Sequence, residues 1–220
     1  LTLQFDGVGG VVNVGSELVG DGDIEIFTII AAGGASDLGA GNGFGADAIT
    51  ITVNATSDLD LGSTAQFIAS TNFDASDSTA AVTAVFAAKT TASETAVTIK
   101  GGAGADKFDI RTFTAEENFG DLIVDMGDGN DTLYLGEVAD TDTGSSIKGG
   151  SGDGDILIIS GNALAAEVNS QISEFEILNI ETTGLTQDAD NFGGTIFGTA
   201  AAIAEMRIDN LAGGSIININ

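Results

Sequence analysis

The sequence predicts an all-β protein folded as a parallel β-solenoid, or β-helix, with about 24 residues in each coil. Three observations predict this fold class. A turn motif rich in glycine and aspartate recurs along the chain, short runs rich in isoleucine and valine flank its copies, and several copies are almost evenly spaced. In such a solenoid the same turn lies directly above itself once per coil.

The turn motif reads Gly-x-Gly-x-Asp-x-apolar, and its three strict copies contain Asp47, Asp106 and Asp131. A chain with 32 glycines and this aspartate content would contain about 0.2 such copies by chance. Chance is therefore a weak explanation for the set of copies, although the copy around Asp47 stands alone in register.

The spacing of the copies points to the solenoid. Asp131 follows Asp106 by 25 residues and precedes Asp155 by 24 residues. The copy that ends on Asp155 is looser, with one extra residue that places Asp153 in the turn, and a shorter variant near the start of the chain includes Asp23. We expect the motif aspartates to form a column along one edge of the solenoid.

Short apolar runs bounded by glycine, asparagine and aspartate predict the strands. In chain order they cover 47–54, 97–100, 108–110, 122–125, 132–135, 145–148, 156–159, 175–182, 194–198, 206–209 and 215–220. A capping-box pattern at 114–117 and an apolar face at 162–172 predict two short helices that cover openings in the core. The stretch 54–96 fits either coils without the motif or a boundary between two lobes.

Composition excludes several classes of function. The chain has 33 acidic and 6 basic residues and a net charge of -27, so nucleic acid and anionic membrane surfaces are not expected partners. It has no cysteine, histidine, tryptophan or proline, which leaves oxygen atoms as the available metal ligands. No apolar run reaches the ~18 residues of a membrane-spanning helix, and the first residues lack the pattern of a secretory signal.

The motif has the chemistry of a calcium site. Glycines allow backbone carbonyl oxygens to point inward, the aspartate adds a carboxylate, and Ca²⁺ accepts six to eight oxygens at flexible geometry. We expect several Ca²⁺ ions between stacked turns, although an isolated copy would fit an ordinary surface turn. The predicted metal ligands and turn glycines are Asp106, Asp131, Asp155, Asp47, Asp128, Asp153, Asn130, Asp23, Gly102, Gly104, Gly127, Gly129, Gly150 and Gly152.

The motif positions divide the chain into two predicted parts. Residues 1–95 form an N-terminal β-rich solenoid portion with one motif copy at 42–50. Residues 96–220 form a calcium-binding β-solenoid with copies at 101–109, 126–134 and 149–157.

The segment GGAGADKFD (101–109) resembles the nonapeptide calcium repeat of the RTX family at all nine positions. The copy at 126–134 departs from it at Met126, and the copy at 149–157 departs by its inserted residue. RTX repeats usually run in immediate tandem, whereas these copies are separated. The pattern is more similar to surface-layer (S-layer) proteins of Gram-negative bacteria that carry scattered RTX motifs.

The resemblance implies a structural protein of the secreted, cell-surface class. It implies type I secretion, folding as calcium is met outside the cell, and self-assembly into an S-layer. The implied partners are calcium, further copies of the chain in a homo-oligomer or two-dimensional lattice, and a cell-surface polysaccharide as anchor. A calcium-stiffened segment of a secreted RTX adhesin is the alternative.

Two other functions have weaker support in the sequence. The only arginines, Arg111 and Arg207, lie far apart along the solenoid and are interpreted as local salt bridges, so we do not expect an enzyme and assign no catalytic residue. Ice binding would need a regular threonine ladder, and the segment ITITVN does not recur at the coil spacing.

Overall fold

The structure is a computed structural model of the chain. It describes residues 2–6, 10–11, 26–38, 50–62, 72–87, 95–113, 120–136, 144–159, 171–181, 186–188, 205–209 and 216–218.

The described residues form nineteen strands, and every pairing between them is parallel. The strands are β1 (Thr2–Asp6), β2 (Gly10–Val11), β3 (Ile26–Ala32), β4 (Ser36–Asp37), β5 (Thr50–Ala55), β6 (Leu59–Asp60), β7 (Asn72–Asp74), β8 (Val82–Val85), β9 (Val97–Lys100), β10 (Lys107–Ile110), β11 (Leu122–Asp125), β12 (Thr132–Leu135), β13 (Ser146–Lys148), β14 (Ile156–Ile159), β15 (Ile172–Ser173), β16 (Ile177–Glu181), β17 (Thr186–Asp188), β18 (Glu205–Asp209) and β19 (Ile216–Asn218).

Alternate strands belong to two long sheets, which confirms the predicted solenoid. The odd-numbered strands β1 to β15 form an eight-stranded sheet, and the even-numbered strands β2 to β18 form a nine-stranded sheet. Strands β17 and β19 pair separately. Paired residues in the eight-stranded sheet are 22 to 26 positions apart in sequence, which agrees with the predicted coil length.

The strand predictions are confirmed wherever the structure describes them, except at the edges of some strands. The predicted strand at 194–198 and the helix at 114–117 lie outside the described residues. Of the helix predicted for 162–172, residues 162–170 also lie outside the described residues, and its C-terminal end is wrong because Ile172 begins strand β15 and packs into the core. No helix occurs in the described ranges, and none of their segments could therefore span the membrane as a helix.

The stretch 54–96 consists of coils that lack the motif, where it is described. Strands β6, β7 and β8 continue both sheets through it. The predicted division at residue 95 stays a prediction, although β7 pairs with β9 and β8 pairs with β10 across that point.

The core lies between the two long sheets and is built by alternation along each strand. In β10, Phe108 and Ile110 are buried while Lys107 is exposed. The rings of Phe73, Phe86 and Phe108 meet edge to face, with centroids 4.9 to 5.6 Å apart. Aromatic pairs of this geometry add about 0.5–1.5 kcal/mol beyond the area they bury.

A short row of stacked threonines, which the sequence pattern did not indicate, lies on the outer face of the eight-stranded sheet. Thr2, Thr28 and Thr52 are directly paired in three successive coils. In the next two coils the positions in register are occupied by the charged residues Asp74 and Lys100. A ladder of three threonines followed by charges does not provide the regular surface that ice binding requires.

Candidate functional site

The three motif turns of the C-terminal half stack on one another. They connect β9 to β10, β11 to β12 and β13 to β14. Lys107 pairs with Thr132, and Thr132 pairs with Ile156, so the aspartates that precede these residues are in register. The structure therefore brings Asp106, Asp131 and Asp155 together as a column, which we call the aspartate column.

The carboxylates of the aspartate column bind the backbone of the preceding coil. Asp155 Oδ1 accepts a hydrogen bond from the N–H of Asp131 at 2.8 Å, and Asp131 Oδ1 accepts one from the N–H of Asp106 at 2.7 Å. Asp106 Oδ1 accepts from the N–H of Val82 at 2.8 Å, and its Oδ2 accepts from the N–H of Gly102 at 2.7 Å. Each aspartate thus joins its own coil to the coil before it.

These three side chains are buried, with exposed fractions of 1%, 0% and 0% for Asp106, Asp131 and Asp155. The motif spacing predicted the column but not its use of backbone donors. The reason is local: the N–H at the end of a tight turn needs an acceptor, and the carboxylate of the next coil lies above it.

Two carboxylate oxygens of the column are left without a partner. Asp131 Oδ2 and Asp155 Oδ2 are buried and accept no hydrogen bond from the described residues. A buried carboxylate oxygen without a donor costs free energy, because the water that would solvate it is excluded. These two atoms are the places where the column needs a proton or a cation.

Burial raises the pKa of every member of the column, and repulsion from neighbouring acids adds to the shift at Asp131 and Asp155. Burial raises the pKa of Asp106 to about 6. Burial, together with repulsion from Asp106, Asp155 and Asp128, raises the pKa of Asp131 to about 8. Burial, followed by repulsion from Glu176 and neighbouring acids, raises the pKa of Asp155 to about 6. The pKa shift is largest at Asp131, where repulsion from Asp106 in the coil before it and from Asp155 in the coil after it adds to the effect of burial.

The turn glycines allow the coils to approach closely. Gly127, Gly129 and Gly150 have φ of 95°, 142° and 101°, which side chains rarely adopt. A Cβ on any of these three would also overlap a carbonyl oxygen of the coil before it. Gly102, Gly104 and Gly152 lack such a φ but are equally restricted, since a Cβ on each would overlap backbone of the preceding coil.

The remaining predicted ligands lie on the outside of the turns. Asp128, Asn130 and Asp153 are exposed. The Asp128 carboxylate accepts a hydrogen bond from the hydroxyl of Ser151 in the next coil, at the bridge between these two residues. Asp128 also contributes to the repulsion felt by Asp131, so it lies close enough to the column to share a counter-ion's field.

Two predicted ligands, Asp47 and Asp23, lie outside the described residues. Within the described ranges, no three or more acidic side chains are grouped as a ready-made metal site. An ion at these turns would therefore take most of its oxygens from glycine carbonyls and water, with one or two carboxylates.

Glu176, which the motif did not indicate, continues the column for one more coil. Ile177 pairs with Ile156, and this register aligns Glu176 with Asp155. The N–H of Asp155 donates to Glu176 Oε2 at 2.9 Å. Only its position could have indicated this role, since Glu176 follows Asp155 by 21 residues in a turn that lacks the motif glycines.

No protein-family model, curated protein or solved structure matches this chain. The local salt bridge expected for Arg111 is present, with its guanidinium 2.5 Å from Asp109. The side chain of Arg207 is outside the described part.

Proposed function

We propose that this chain is a calcium-binding structural solenoid of the bacterial cell surface, which folds and assembles into an S-layer lattice as it binds calcium. The observation that carries the proposal is the aspartate column, with its buried oxygens Asp131 Oδ2 and Asp155 Oδ2 unpaired. Ionised acids stacked in successive coils destabilise the fold unless a positive charge compensates them.

The donor set fits Ca²⁺. The oxygens that the turns could offer are carboxylates of the column, glycine carbonyls and the exposed acids Asp128 and Asp153. Of the carbonyls, those of Gly102 and Gly127 also accept an N–H from the next coil. Ca²⁺ accepts such mixed carbonyl, carboxylate and water shells, whereas Mg²⁺ requires stricter octahedral geometry. When bound, the ion would supply positive charge to the column and join turns of adjacent coils.

The net charge of -27 supports the same proposal at the level of the whole chain. Self-repulsion of this size opposes compaction, and counter-cations reduce it. Assembly into a lattice would bring many such chains together and would increase the need for divalent cations. The S-layer assignment itself rests on the resemblance of the motifs.

A calcium titration followed by circular dichroism and light scattering tests the proposal. In chelator we expect weak β-signal, and on adding Ca²⁺ we expect a gain of β-signal followed by a rise in scattering. A site filled at a hundredfold excess over its Kd stabilises the fold by about 2.7 kcal/mol, so several sites would convert a marginal chain into a stable one.

Magnesium at equal ionic strength is the control for simple charge screening. A chain that gains order without scattering would support the adhesin segment instead of the lattice. Equal effects of Mg²⁺ and Ca²⁺, or full β-signal in chelator at neutral pH, would contradict calcium-dependent folding.

A further inference from the structure

A recess of about 310 Å³ on the outer face of the nine-stranded sheet is unlike the rest of this acidic molecule. It lies over strands β8, β10 and β12 and contains two of the chain's six basic residues, Lys107 and Arg111, together with its only tyrosine, Tyr134. Lys148, which forms an ion pair with Glu174, lies instead on the eight-stranded sheet.

Both cations lie against the ring of Tyr134. Lys107 Nζ is 5.1 Å from the ring centroid, and the Arg111 guanidinium carbon is 5.0 Å from it. Cation–π contacts of this kind contribute about 0.5–1 kcal/mol at exposed sites. These contacts place both positive groups against the same ring.

The two cations differ in what else they bind. Arg111 donates two hydrogen bonds to Asp109, from Nε to Oδ1 at 2.9 Å and from Nη2 to Oδ2 at 2.5 Å, and this contact fixes its orientation. Lys107 has no acid within salt-bridge distance among the described residues. Its direct neighbours in the sheet, Thr83 and Thr132, are uncharged. Its ammonium group is therefore available to an anionic ligand.

The rest of the recess offers hydrogen-bond acceptors and an apolar floor. Asp60 stands at one side, where its Oδ1 accepts the N–H of Gly62 at 2.8 Å and is held in place. Thr83 adds a hydroxyl, and Val85 adds an apolar surface. An isolated inorganic anion would be repelled by Asp60 and Asp109, whereas a ligand with several hydroxyl donors would bind them.

We propose that this recess binds one acidic sugar residue, a uronate, of a polysaccharide. Its carboxylate would pair with Lys107, its hydroxyls would donate to Asp60 and bind Thr83, and its C–H face would pack on Val85 beside Tyr134. A uronate combines a single negative charge with several hydroxyls, which is the combination that one available cation and nearby carboxylates recognise. No carboxylate of the aspartate column lines this recess.

Titration calorimetry with a uronate trisaccharide, at constant calcium, tests this site. The comparison ligand is the same trisaccharide with its carboxylates reduced to alcohols, and inorganic phosphate serves as a competitor. We expect the uronate to bind and phosphate not to compete with it. The reduced sugar should bind at least about tenfold more weakly, because a charge-assisted hydrogen bond contributes about 1.5–3 kcal/mol.

Lys107→Gln should weaken uronate binding at least about tenfold, while Lys148→Gln, a matched change on the other sheet, should leave it unchanged. Lys107→Gln should also leave calcium-induced folding unchanged, so failure here is distinguishable from failure of the calcium proposal. No binding of the uronate by the folded wild-type chain, equal binding by Lys107→Gln, or effective competition by phosphate would overturn the proposal.

Discussion

Gly127→Ala is expected to lower the free energy of unfolding by about 3 kcal/mol or more, the largest effect of any substitution considered for this chain. Gly127 has φ of 95°, where an alanine pays a conformational cost of about 1–2 kcal/mol. Its new Cβ would also overlap the carbonyl oxygen of Gly102 and lie 3.1 Å from that of Gly101. Both neighbours are backbone, so the two coils would have to separate.

The matched control is Gly154→Ala in the next turn. The nearest atoms to a Cβ there would be those of the Asn130 side chain, at 3.2 Å, and Asn130 is exposed and can move. Chemical denaturation in saturating calcium measures both variants. Equal stability of Gly127→Ala and Gly154→Ala would show that the turns are not stacked as described.

The second large effect concerns Asp131, where alanine and asparagine are expected to differ. Asp131→Ala removes the acceptor of the buried N–H of Asp106, which costs about 1–3 kcal/mol. Asp131→Asn retains an oxygen at this position while removing the charge. In chelator at about pH 8, we therefore expect Asp131→Asn to be more stable than wild type, and Asp131→Ala to be less stable than Asp131→Asn.

Calcium should reduce the stability advantage that Asp131→Asn has over wild type in chelator. Both variants lose a carboxylate that would face the ion, so both should gain less stability from calcium than wild type does. Asp77→Ala is the control, because Asp77 is exposed and lies outside the column. If Asp131→Asn is less stable than wild type in chelator, the column does not suffer from charge repulsion.

The column and its register could be predicted from sequence because they depend on spacing. The intervals of 25 and 24 residues, together with β-branched runs on both sides of each turn, leave a parallel solenoid as the simplest arrangement. The same reasoning could not extend the column toward the N-terminus. There the residue aligned with Asp106 is Val82, which is buried in the core and breaks the pattern.

The direction of the carboxylates could not be predicted from the sequence. The motif is compatible with carboxylates that point outward to an ion and with carboxylates that point inward to accept a backbone hydrogen bond. Which one forms depends on whether the coil before it presents an unpaired N–H, and this is a property of two coils. Glu176 was missed for a related reason. Its longer side chain reaches the N–H of Asp155 without the glycines of the motif, and its turn uses Glu174 at φ 64° instead.

We infer that the fold is stable only when the buried aspartate column is neutralised, so that its stability in chelator should depend on pH. The pKa of Asp131 is raised to about 8 in the folded state, above its value of about 4 in an unfolded chain. The folded state therefore binds the proton more tightly, and this stabilisation is complete below the unfolded pKa and lost as pH rises through the folded pKa. Asp106 and Asp155 change in the same direction.

We predict that the free energy of unfolding in chelator falls between about pH 5 and about pH 8, that Asp131→Asn reduces this fall, and that saturating calcium abolishes it. Guanidinium unfolding of wild type and Asp131→Asn, with and without calcium across this range, provides the measurement. If the free energy of unfolding in chelator rises or stays constant with pH, the fold does not depend on neutralisation of the aspartate column.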